Sequence, residues 1–204
     1  MSDKIIIFDL GNVIFKFDLF KFIKAYVKKI PIYKASDFNM SDSVYLELAY
    51  SYEKGDMSSL DFYDTLAKKT HYTGTYNEFR VLWNNIFELI PETIDVISTL
   101  SSKYCLGILS NTNELHFNFL KERYPQVFSL FDQIFLSYEI HMRKPEHEIF
   151  KHVIKHYNVC PSRIFFSDDL ENNVFAAQET GIKAYVYTNT IELIKQLKQE
   201  QIKI

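Results

Sequence analysis

Six polar residues of this chain are of types that bind phosphate or a divalent cation: Asp9, Ser110, Asn111, Lys144, Asp168 and Asp169. Carboxylates are the hard oxygen ligands that Mg²⁺ prefers, together with water and phosphate oxygens. A serine hydroxyl, a backbone N–H near Asn111 and a lysine ammonium would hold a phosphate group. A carboxylate can also attack phosphorus. If the fold brings these residues together, they predict phosphoryl transfer beside Mg²⁺.

Asp9 ends the first apolar segment, residues 5–8, and the turn-forming pair Gly11-Asn12 follows. A short continuous apolar run that ends in turn residues is typical of a strand buried in a parallel sheet. Asp9 would then lie at the carboxyl end of that strand, where open α/β sheets bind ligands. A single aspartate in such a place more often caps a helix or lies in a loop. The case for Asp9 therefore depends on later segments.

Three further apolar runs follow, at residues 105–109, 133–136 and 163–166. Ser110-Asn111 ends the first of these and Asp168-Asp169 follows the last, while Lys144 begins a helical stretch. Strands of a parallel sheet end at one edge, so we expect these side chains to converge there. Simpler roles stay open, because the two aspartates could cap a helix, and Ser110 or Thr112 could cap the next one.

The elements that must position these residues change in character near residue 91. From there on, strand-like runs alternate with helical spacing, which predicts an α/β fold with a Rossmann-like, doubly wound parallel sheet. Residues 16–90 show helical spacing and no strand-like run. We therefore predict a catalytic core from residues 1–15 and 91–204, and an inserted all-helical cap from residues 16–90.

Composition excludes several classes of partner. The 204 residues are 47% hydrophobic, which is enough for a sizeable core. A net charge of −3 gives no basic field for nucleic acid or an anionic membrane, so we expect neither partner. No apolar run approaches the ~20 residues that span a bilayer, and the N-terminus lacks an export-signal pattern. The sequence thus predicts a cytoplasmic protein, and it leaves the oligomeric state unknown.

Taken in order, these segments resemble the four motifs of haloacid dehalogenase-like hydrolases. They read DLGNV at 9–13, LSNTN at 109–113, RKPE at 143–146 and DDLENN at 168–173. Each motif alone is weak, but their order and spacing match over the whole core. Their residues most closely resemble the bacterial α-D-glucose-1-phosphate phosphatase branch, and the phosphatase domain of soluble epoxide hydrolase looks like a more distant relative.

The resemblance implies a Mg²⁺-dependent phosphomonoesterase that forms an aspartyl-phosphate on Asp9. Its substrate would be a small-molecule phosphate ester, a sugar phosphate such as glucose 1-phosphate, and the helical cap would exclude water and select it. The resemblance implies Asp9 and Lys144 as catalytic residues. It implies Asp9, the backbone carbonyl of Gly11 and Asp169 as Mg²⁺ ligands, and Ser110, Asn111 and Lys144 as phosphate-binding residues. Asp168 and Asn173 are further candidates.

One position departs from the pattern of many phosphatases in this superfamily, which carry a second aspartate two residues after the nucleophile. This chain has Gly11 there, as members of the glucose-1-phosphate branch do. Glycine keeps a backbone carbonyl for the metal but cannot transfer a proton, a function worth roughly 10²–10⁴ in rate where it is used. The proton donor is therefore open among Asp168, Asp18 and a metal-bound water.

Two other functions compete with the phosphatase. A haloacid dehalogenase would attack carbon with Asp9 and needs no metal, which the acidic pair at 168–169 argues against. A non-catalytic phosphate-ester binder would have lost turnover with its acid–base residue at Gly11. In the cap, Tyr45, Tyr52 and Glu53 either contact substrate or simply pack. His152 and His156 share a helix face at metal-ligand spacing, but no third ligand is evident.

Overall fold

The computed structural model describes residues 4–31 and 38–204. The parts of the predicted core and cap at residues 1–3 and 32–37 lie outside the described residues. The strands are β1 (Ile5–Phe8), β2 (Phe15–Phe17), β3 (Phe87–Leu89), β4 (Cys105–Ser110), β5 (Gln133–Leu136), β6 (Ile164–Asp168) and β7 (Lys183–Val186). The helices that enclose the main sheet or form the insertion are Leu19–Tyr26, Ser43–Glu53, Ser59–Thr70, Tyr76–Asn84, Pro91–Ser101, Glu114–Arg123, His147–Tyr157, Glu171–Glu179 and Thr190–Gln199. Shorter helical segments are Val27–Lys29, Pro125–Phe128, Ser137–Ile140 and Pro161–Arg163.

Five strands form one parallel sheet in the order β5-β4-β1-β6-β7. Strand β1 lies at its centre, and all four of its residues are buried. This burial explains why β1 reads as a continuous apolar run rather than an alternating one. Helices cover both faces of the sheet, and each face has its own apolar cluster. The predicted Rossmann-like α/β fold is confirmed.

Alternate residues of β1 pack on opposite faces of the sheet. Ile6 and Phe8 join the cluster under helices Pro91–Ser101 and Thr190–Gln199, whereas Ile5 and Ile7 join the cluster under helix His147–Tyr157. Each such buried side chain contributes about 1.5–3 kcal/mol of transfer free energy. The strand that carries Asp9 at its end is thus fixed from both sides.

The insertion has a separate core made largely of aromatic rings. Phe22, Tyr26, Phe62, Phe79 and Trp83 are all buried in this third cluster. The Tyr26 ring stacks on Tyr72 at 4.5 Å between centroids. The separate cluster supports the predicted boundary between core and cap, and the division itself stays a prediction.

The prediction that residues 16–90 contain no strand is wrong. Strands β2 and β3 pair antiparallel, with Phe15 opposite Leu89 and Phe17 opposite Phe87. They are the two segments through which the chain enters and leaves the insertion. Each is only three residues long, so neither shows the alternation that identifies a strand in a sequence.

No helix in residues 4–31 or 38–204 has the length and apolar character needed to cross a membrane.

Candidate active site

The carboxyl ends of β1 and β6 bring three carboxylates together. Phe8 pairs with Ser167 in the sheet, and the Asp9 N–H continues the pairing by donating to the Ser167 carbonyl at 2.9 Å. Asp9 therefore lies beside Asp168. One carboxylate oxygen from each of Asp9, Asp168 and Asp169 lies within 4.8 Å of the others. Residues 160 positions apart thus meet, as the parallel topology predicts.

The Lys144 ammonium lies between two of these acids. Its Nζ is 2.8 Å from Asp9 Oδ1 and 2.6 Å from Asp168 Oδ2. It also donates to the Leu109 carbonyl at 2.8 Å, and the side chain is only 1% exposed. A buried ammonium with three acceptors has a fixed position. It can neutralise charge on a group that Asp9 contacts.

The Asn111 side chain holds the backbone of Lys144. Asn111 Oδ1 accepts from the Lys144 N–H and Asn111 Nδ2 donates to the Lys144 carbonyl, both at 2.8 Å. The buried Ser137 hydroxyl fixes the neighbouring turn by bonding to the N–H and carbonyl of Thr112, both at 3.0 Å. Since its side-chain amide holds the Lys144 backbone, Asn111 can offer phosphate its backbone N–H. Ser110, also buried, lies at the end of β4.

Asp168 is fully buried and surrounded by donors. Besides Lys144, the Leu170 N–H donates to its Oδ1 at 2.9 Å, and Asn173 Nδ2 contacts its two oxygens at 3.0 and 3.1 Å. Asn173 therefore acts on the site through Asp168. This arrangement makes Asp168 an orienting partner of Lys144 rather than a carboxyl free to approach a leaving group.

Asn12 positions Asp169, a role that sequence reasoning missed. Asn12 Nδ2 donates to Asp169 Oδ2 at 2.8 Å, and Asn12 Oδ1 accepts from the Phe17 N–H at 3.1 Å. The backbone of Asn12 has φ of 54°, a left-handed conformation that asparagine tolerates better than most residues. The sequence signal is the Gly11-Asn12 turn, which connects the loop after Asp9 to the fourth motif through the bond from Asn12 to Asp169.

Burial dominates the electrostatics of the site. It raises the pKa of the Asp9 carboxyl to about 7, although the Lys144 ammonium opposes the shift. Burial also raises the pKa of Asp169. For Lys144 burial acts to lower the pKa, but the Asp168 and Asp9 carboxylates outweigh it and the net shift is upward. Three carboxylates are clustered here and Lys144 pairs with only two of them. This surplus of hard oxygen donors fits Mg²⁺.

Gly11 and Asp18 bear on the missing proton donor. A β-carbon at Gly11 would lie 3.9 Å from Asp9 Oδ2, so the position adjoins Asp9 and has room for a β-carbon. Asp18 instead caps helix Leu19–Tyr26, where its Oδ1 accepts from the Phe20 N–H at 3.1 Å. It does not line the cavity over Asp9. The structure thus gives Asp18 a capping role.

A cavity of about 420 Å³ opens over the carboxylates, between the core and the helical insertion. The insertion supplies mostly apolar wall, together with two of the three cap residues considered from sequence, Tyr52 and Glu53. The third, Tyr45, packs against Phe38 at 5.1 Å between ring centroids. Sequence reasoning gave Arg143 no role, yet it lines the cavity and pairs with Glu53 at 3.0 Å.

Four other polar side chains have structural roles. Asn113, rather than Ser110 or Thr112, caps helix Glu114–Arg123 by accepting from the His116 N–H at 3.1 Å. His116 Nε2 lies 3.0 Å from the Trp83 carbonyl, and burial lowers the pKa of its ring to about 3. His152 and His156 pack their rings against Phe135, away from the carboxylates.

The arrangement is that of a known family. The family model described as haloacid dehalogenase-like hydrolase matches residues 4–181, so this chain belongs to the haloacid dehalogenase-like hydrolases. A D-ribitol-5-phosphate phosphatase from Bacteroides thetaiotaomicron is 30% identical over 192 residues, which are 89% of this chain and 90% of that protein. A sesquiterpene phosphatase from Aspergillus oryzae is 24% identical over 200 residues, covering 96% of this chain and 95% of the relative.

A solved structure is also similar over nearly the full length. It is a haloacid dehalogenase family enzyme from Bacteroides thetaiotaomicron in complex with magnesium and inorganic phosphate. It superposes with a TM-score of 0.79 at 29% identity, covering 91% of this chain and 94% of that one. The resemblance to the family is therefore confirmed, while the glucose-1-phosphate branch stays a prediction.

Proposed function

We propose that this protein is a Mg²⁺-dependent phosphomonoesterase that acts through an aspartyl-phosphate on Asp9. The observation that carries the proposal is the group of three carboxylates within 4.8 Å at one sheet edge, with Lys144 bonded to two of them. Similar proteins named as phosphatases support the reaction class. A similar structure that contains magnesium and phosphate supports the ligands.

In the first step an Asp9 carboxylate oxygen attacks phosphorus, and the bond from phosphorus to the ester oxygen breaks. The electron pair leaves with the alcohol oxygen. Lys144 holds the Asp9 carboxylate in one orientation and offsets negative charge on the transferring group. Ser110 and the backbone N–H of Asn111 bind the phosphate oxygens. In the second step water attacks phosphorus and frees Asp9.

Asp9, the Gly11 carbonyl and Asp169 would hold Mg²⁺, with Asp168 as a further candidate. Bound there, the ion would act as a Lewis acid toward phosphate oxygen. Asn12 fixes the orientation of Asp169 for this purpose. The fit rests on the number and type of oxygen donors that the fold concentrates around Asp9.

The leaving alcohol takes its proton from water in this proposal. Gly11 has no side chain to donate one, Asp18 is engaged as a helix cap, and Asp168 is enclosed by its own donors. The segment of residues 16–90 serves as the cap, which encloses the cavity and limits the entry of other water molecules. Activated esters, whose leaving groups need little protonation, should therefore react fastest.

The substrate we propose is a small sugar or polyol phosphate. The cavity of about 420 Å³ has room for a small alcohol above the phosphate site. The relative from Bacteroides thetaiotaomicron is named as a D-ribitol-5-phosphate phosphatase. The resemblance of the four motifs to the glucose-1-phosphate phosphatase branch favours glucose 1-phosphate. Both belong to the same chemical class, a phosphate monoester of a polyhydroxylated carbon chain.

Phosphate release measured with and without Mg²⁺ tests the proposal. Ribitol 5-phosphate and glucose 1-phosphate are given to the parent protein, to Asp9→Asn and to Asp18→Asn. We expect Mg²⁺-dependent release by the parent, loss of it in Asp9→Asn, and retention in Asp18→Asn, because asparagine preserves the helix cap. Equal release by the parent and Asp9→Asn would reject Asp9 as nucleophile.

The same proteins separate the competing functions. Metal-independent halide release from a 2-haloacid would indicate a dehalogenase. Calorimetric binding of phosphate esters without phosphate release over hours would indicate a binder. The clustered acids oppose the first alternative, because attack on carbon needs no metal site.

A further inference from the structure

A charged pair forms part of the cavity wall where the insertion meets the core. Arg143 Nη2 lies 3.0 Å from Glu53 Oε2, and the guanidinium stacks on the Tyr50 ring at 4.0 Å from the centroid. The two charged side chains are only 18% and 26% exposed. All three residues line the cavity that contains Asp9. Arg143 directly precedes Lys144, so the pair lies close to the phosphate site along the chain.

The pair has unused hydrogen-bonding capacity. An arginine has five N–H donors and a carboxylate has about four acceptor positions, whereas Arg143 and Glu53 share one bond in the part of the chain that the structure describes. The Arg143 Nε is buried without a partner among the described residues. A buried donor without a partner costs about 1–3 kcal/mol, so a ligand oxygen at Nε would stabilise the site.

The charges restrict what that ligand can be. An acceptor carboxylate beside a donor guanidinium matches hydroxyl groups, because each hydroxyl both donates and accepts. A second anionic group on the ligand would compete with Glu53 for Arg143 and leave two negative charges around one guanidinium in a partly buried wall, where like charges repel strongly. The rest of the cap wall is mainly apolar, with Met40, Leu46 and Ala49 among its members.

We propose that Arg143 and Glu53 form a subsite that binds hydroxyl groups of the leaving alcohol. The preferred substrates are then phosphate monoesters of neutral, polyhydroxylated alcohols, and bisphosphates or phosphorylated acids are excluded. This inference rests on the proposed phosphatase function and adds the residues that determine its specificity. Burial raises the pKa of Glu53 against the opposing effect of Arg143, in keeping with an enclosed carboxyl.

Other contacts also join the cap to the core beside the Arg143–Glu53 pair. The neighbouring Lys54 Nζ lies 2.8 Å from Glu146 Oε1, and His141 Nδ1 lies 2.9 Å from the Lys54 carbonyl. These contacts join the same end of helix Ser43–Glu53 to the core, and neither Lys54 nor Glu146 lines the cavity. Lys54→Met therefore removes one contact between cap and core and leaves the proposed subsite intact.

The experiment compares ribitol 5-phosphate with phenyl phosphate, whose leaving group has no further hydroxyl. The kcat/KM ratio of the two esters is measured with Mg²⁺ for the parent, Glu53→Gln, Arg143→Lys and Lys54→Met. Hydrogen bonds to charged groups contribute more than neutral ones, so we expect Glu53→Gln and Arg143→Lys to lower the ratio at least tenfold. We expect Lys54→Met to change it by less than about twofold. Fructose 1,6-bisphosphate, given as a third substrate, tests whether a second phosphate group is excluded. We expect the parent to hydrolyse it at least tenfold less efficiently than ribitol 5-phosphate.

The outcomes distinguish a failure of the subsite from a failure of the proposed phosphatase function. Proportional losses on both esters in Glu53→Gln and Arg143→Lys would overturn the subsite, since a purely structural pair affects every substrate alike. Equal efficiency of the parent on the bisphosphate would overturn it too. If the parent hydrolyses both esters and neither Glu53→Gln nor Arg143→Lys lowers the kcat/KM ratio of ribitol 5-phosphate to phenyl phosphate, the subsite fails and the phosphatase stands. Hydrolysis of no ester would contradict the proposed function itself.

Discussion

Replacing Lys144 by methionine tests the electrostatic design of the site. Methionine keeps much of the side-chain volume but removes the cation that contacts Asp9 at 2.8 Å and Asp168 at 2.6 Å. Two buried carboxylates then lack their shared partner. We expect the variant to be less stable and, with Mg²⁺ present, about 10²–10³-fold less active, the loss typical for removal of one preorganised charge-stabilising group.

The magnitude of the stability loss follows from the contacts. At an effective dielectric of about 20, each contact provides about 6 kcal/mol of gross attraction. Desolvation of the buried ammonium cancels much of this, and removing one partner of a buried ion pair typically costs about 3–5 kcal/mol. We expect a decrease of that size in the free energy of unfolding at pH 8 without metal.

The loss should also depend on pH. The pKa of Asp9 is about 7 in the parent, and removal of Lys144, the main influence that lowers it, moves it higher. A carboxyl whose folded pKa exceeds its unfolded value destabilises the folded state as pH rises. Between pH 6 and 8 the parent loses about 1.4 kcal/mol from Asp9. The variant, in which Asp9 stays protonated further into this range, loses more, up to a limit of about 2.7 kcal/mol for a carboxyl that is protonated throughout it. The penalty of Lys144→Met should therefore be larger at pH 8 than at pH 6, by up to about 1.4 kcal/mol.

Urea unfolding followed by circular dichroism, with a metal chelator present, measures both effects. Lys54→Met is the matched control, because its ion pair is about one-third exposed and should contribute less than about 1 kcal/mol. A stability loss in Lys144→Met no larger than the control's, or one independent of pH, would refute the assignment of Lys144 as the cation that balances the buried acids.

Three further predictions concern other parts of the site. The pKa of buried His116 is about 3 against 6.5 for a free ring, so from pH 7 to pH 5 the parent should lose about 2 kcal/mol that His116→Phe does not lose; equal losses in urea unfolding would contradict this. Gly11→Asp should raise kcat for ribitol 5-phosphate, by up to roughly 10²-fold, and phenyl phosphate much less, because only the poorer leaving group needs a proton; unchanged kcat for both would argue against a missing proton donor. Asn12→Ala frees the Asp169 carboxylate, and we expect a 10–100-fold weaker Mg²⁺ activation constant with little change in saturated kcat; an unchanged constant would remove Asn12 from the site.

The sequence predicts the sheet and the convergence of acidic residues at one of its edges, because both depend on local pattern and topology. Strand β1 is continuously apolar, and Asp9 and Asp168 lie at strand ends that parallel pairing must bring together. By contrast, β2 and β3 are too short for a pattern. They form strands because the segment that enters the insertion and the segment that leaves it run side by side.

The contacts between cap and core were beyond prediction for a different reason. Arg143 and Glu53 are 90 positions apart, and no motif links them. Their pairing depends on how the aromatic core of the insertion orients helix Ser43–Glu53 over the sheet edge. Asn12 and Asn111 also escaped assignment as positioning residues, because a side-chain amide that orients another group leaves no spacing signature.

The most direct test of the central claim is chemical trapping of the phosphorylated intermediate. Parent protein turning over ribitol 5-phosphate with Mg²⁺ is quenched and treated with borohydride, which reduces an acyl-phosphate to an alcohol. Peptide mass spectrometry then locates the reduced residue. We predict homoserine at position 9, seen only with Mg²⁺ and substrate. Turnover of ester without reduction at position 9, or with reduction at another acid, would contradict the account.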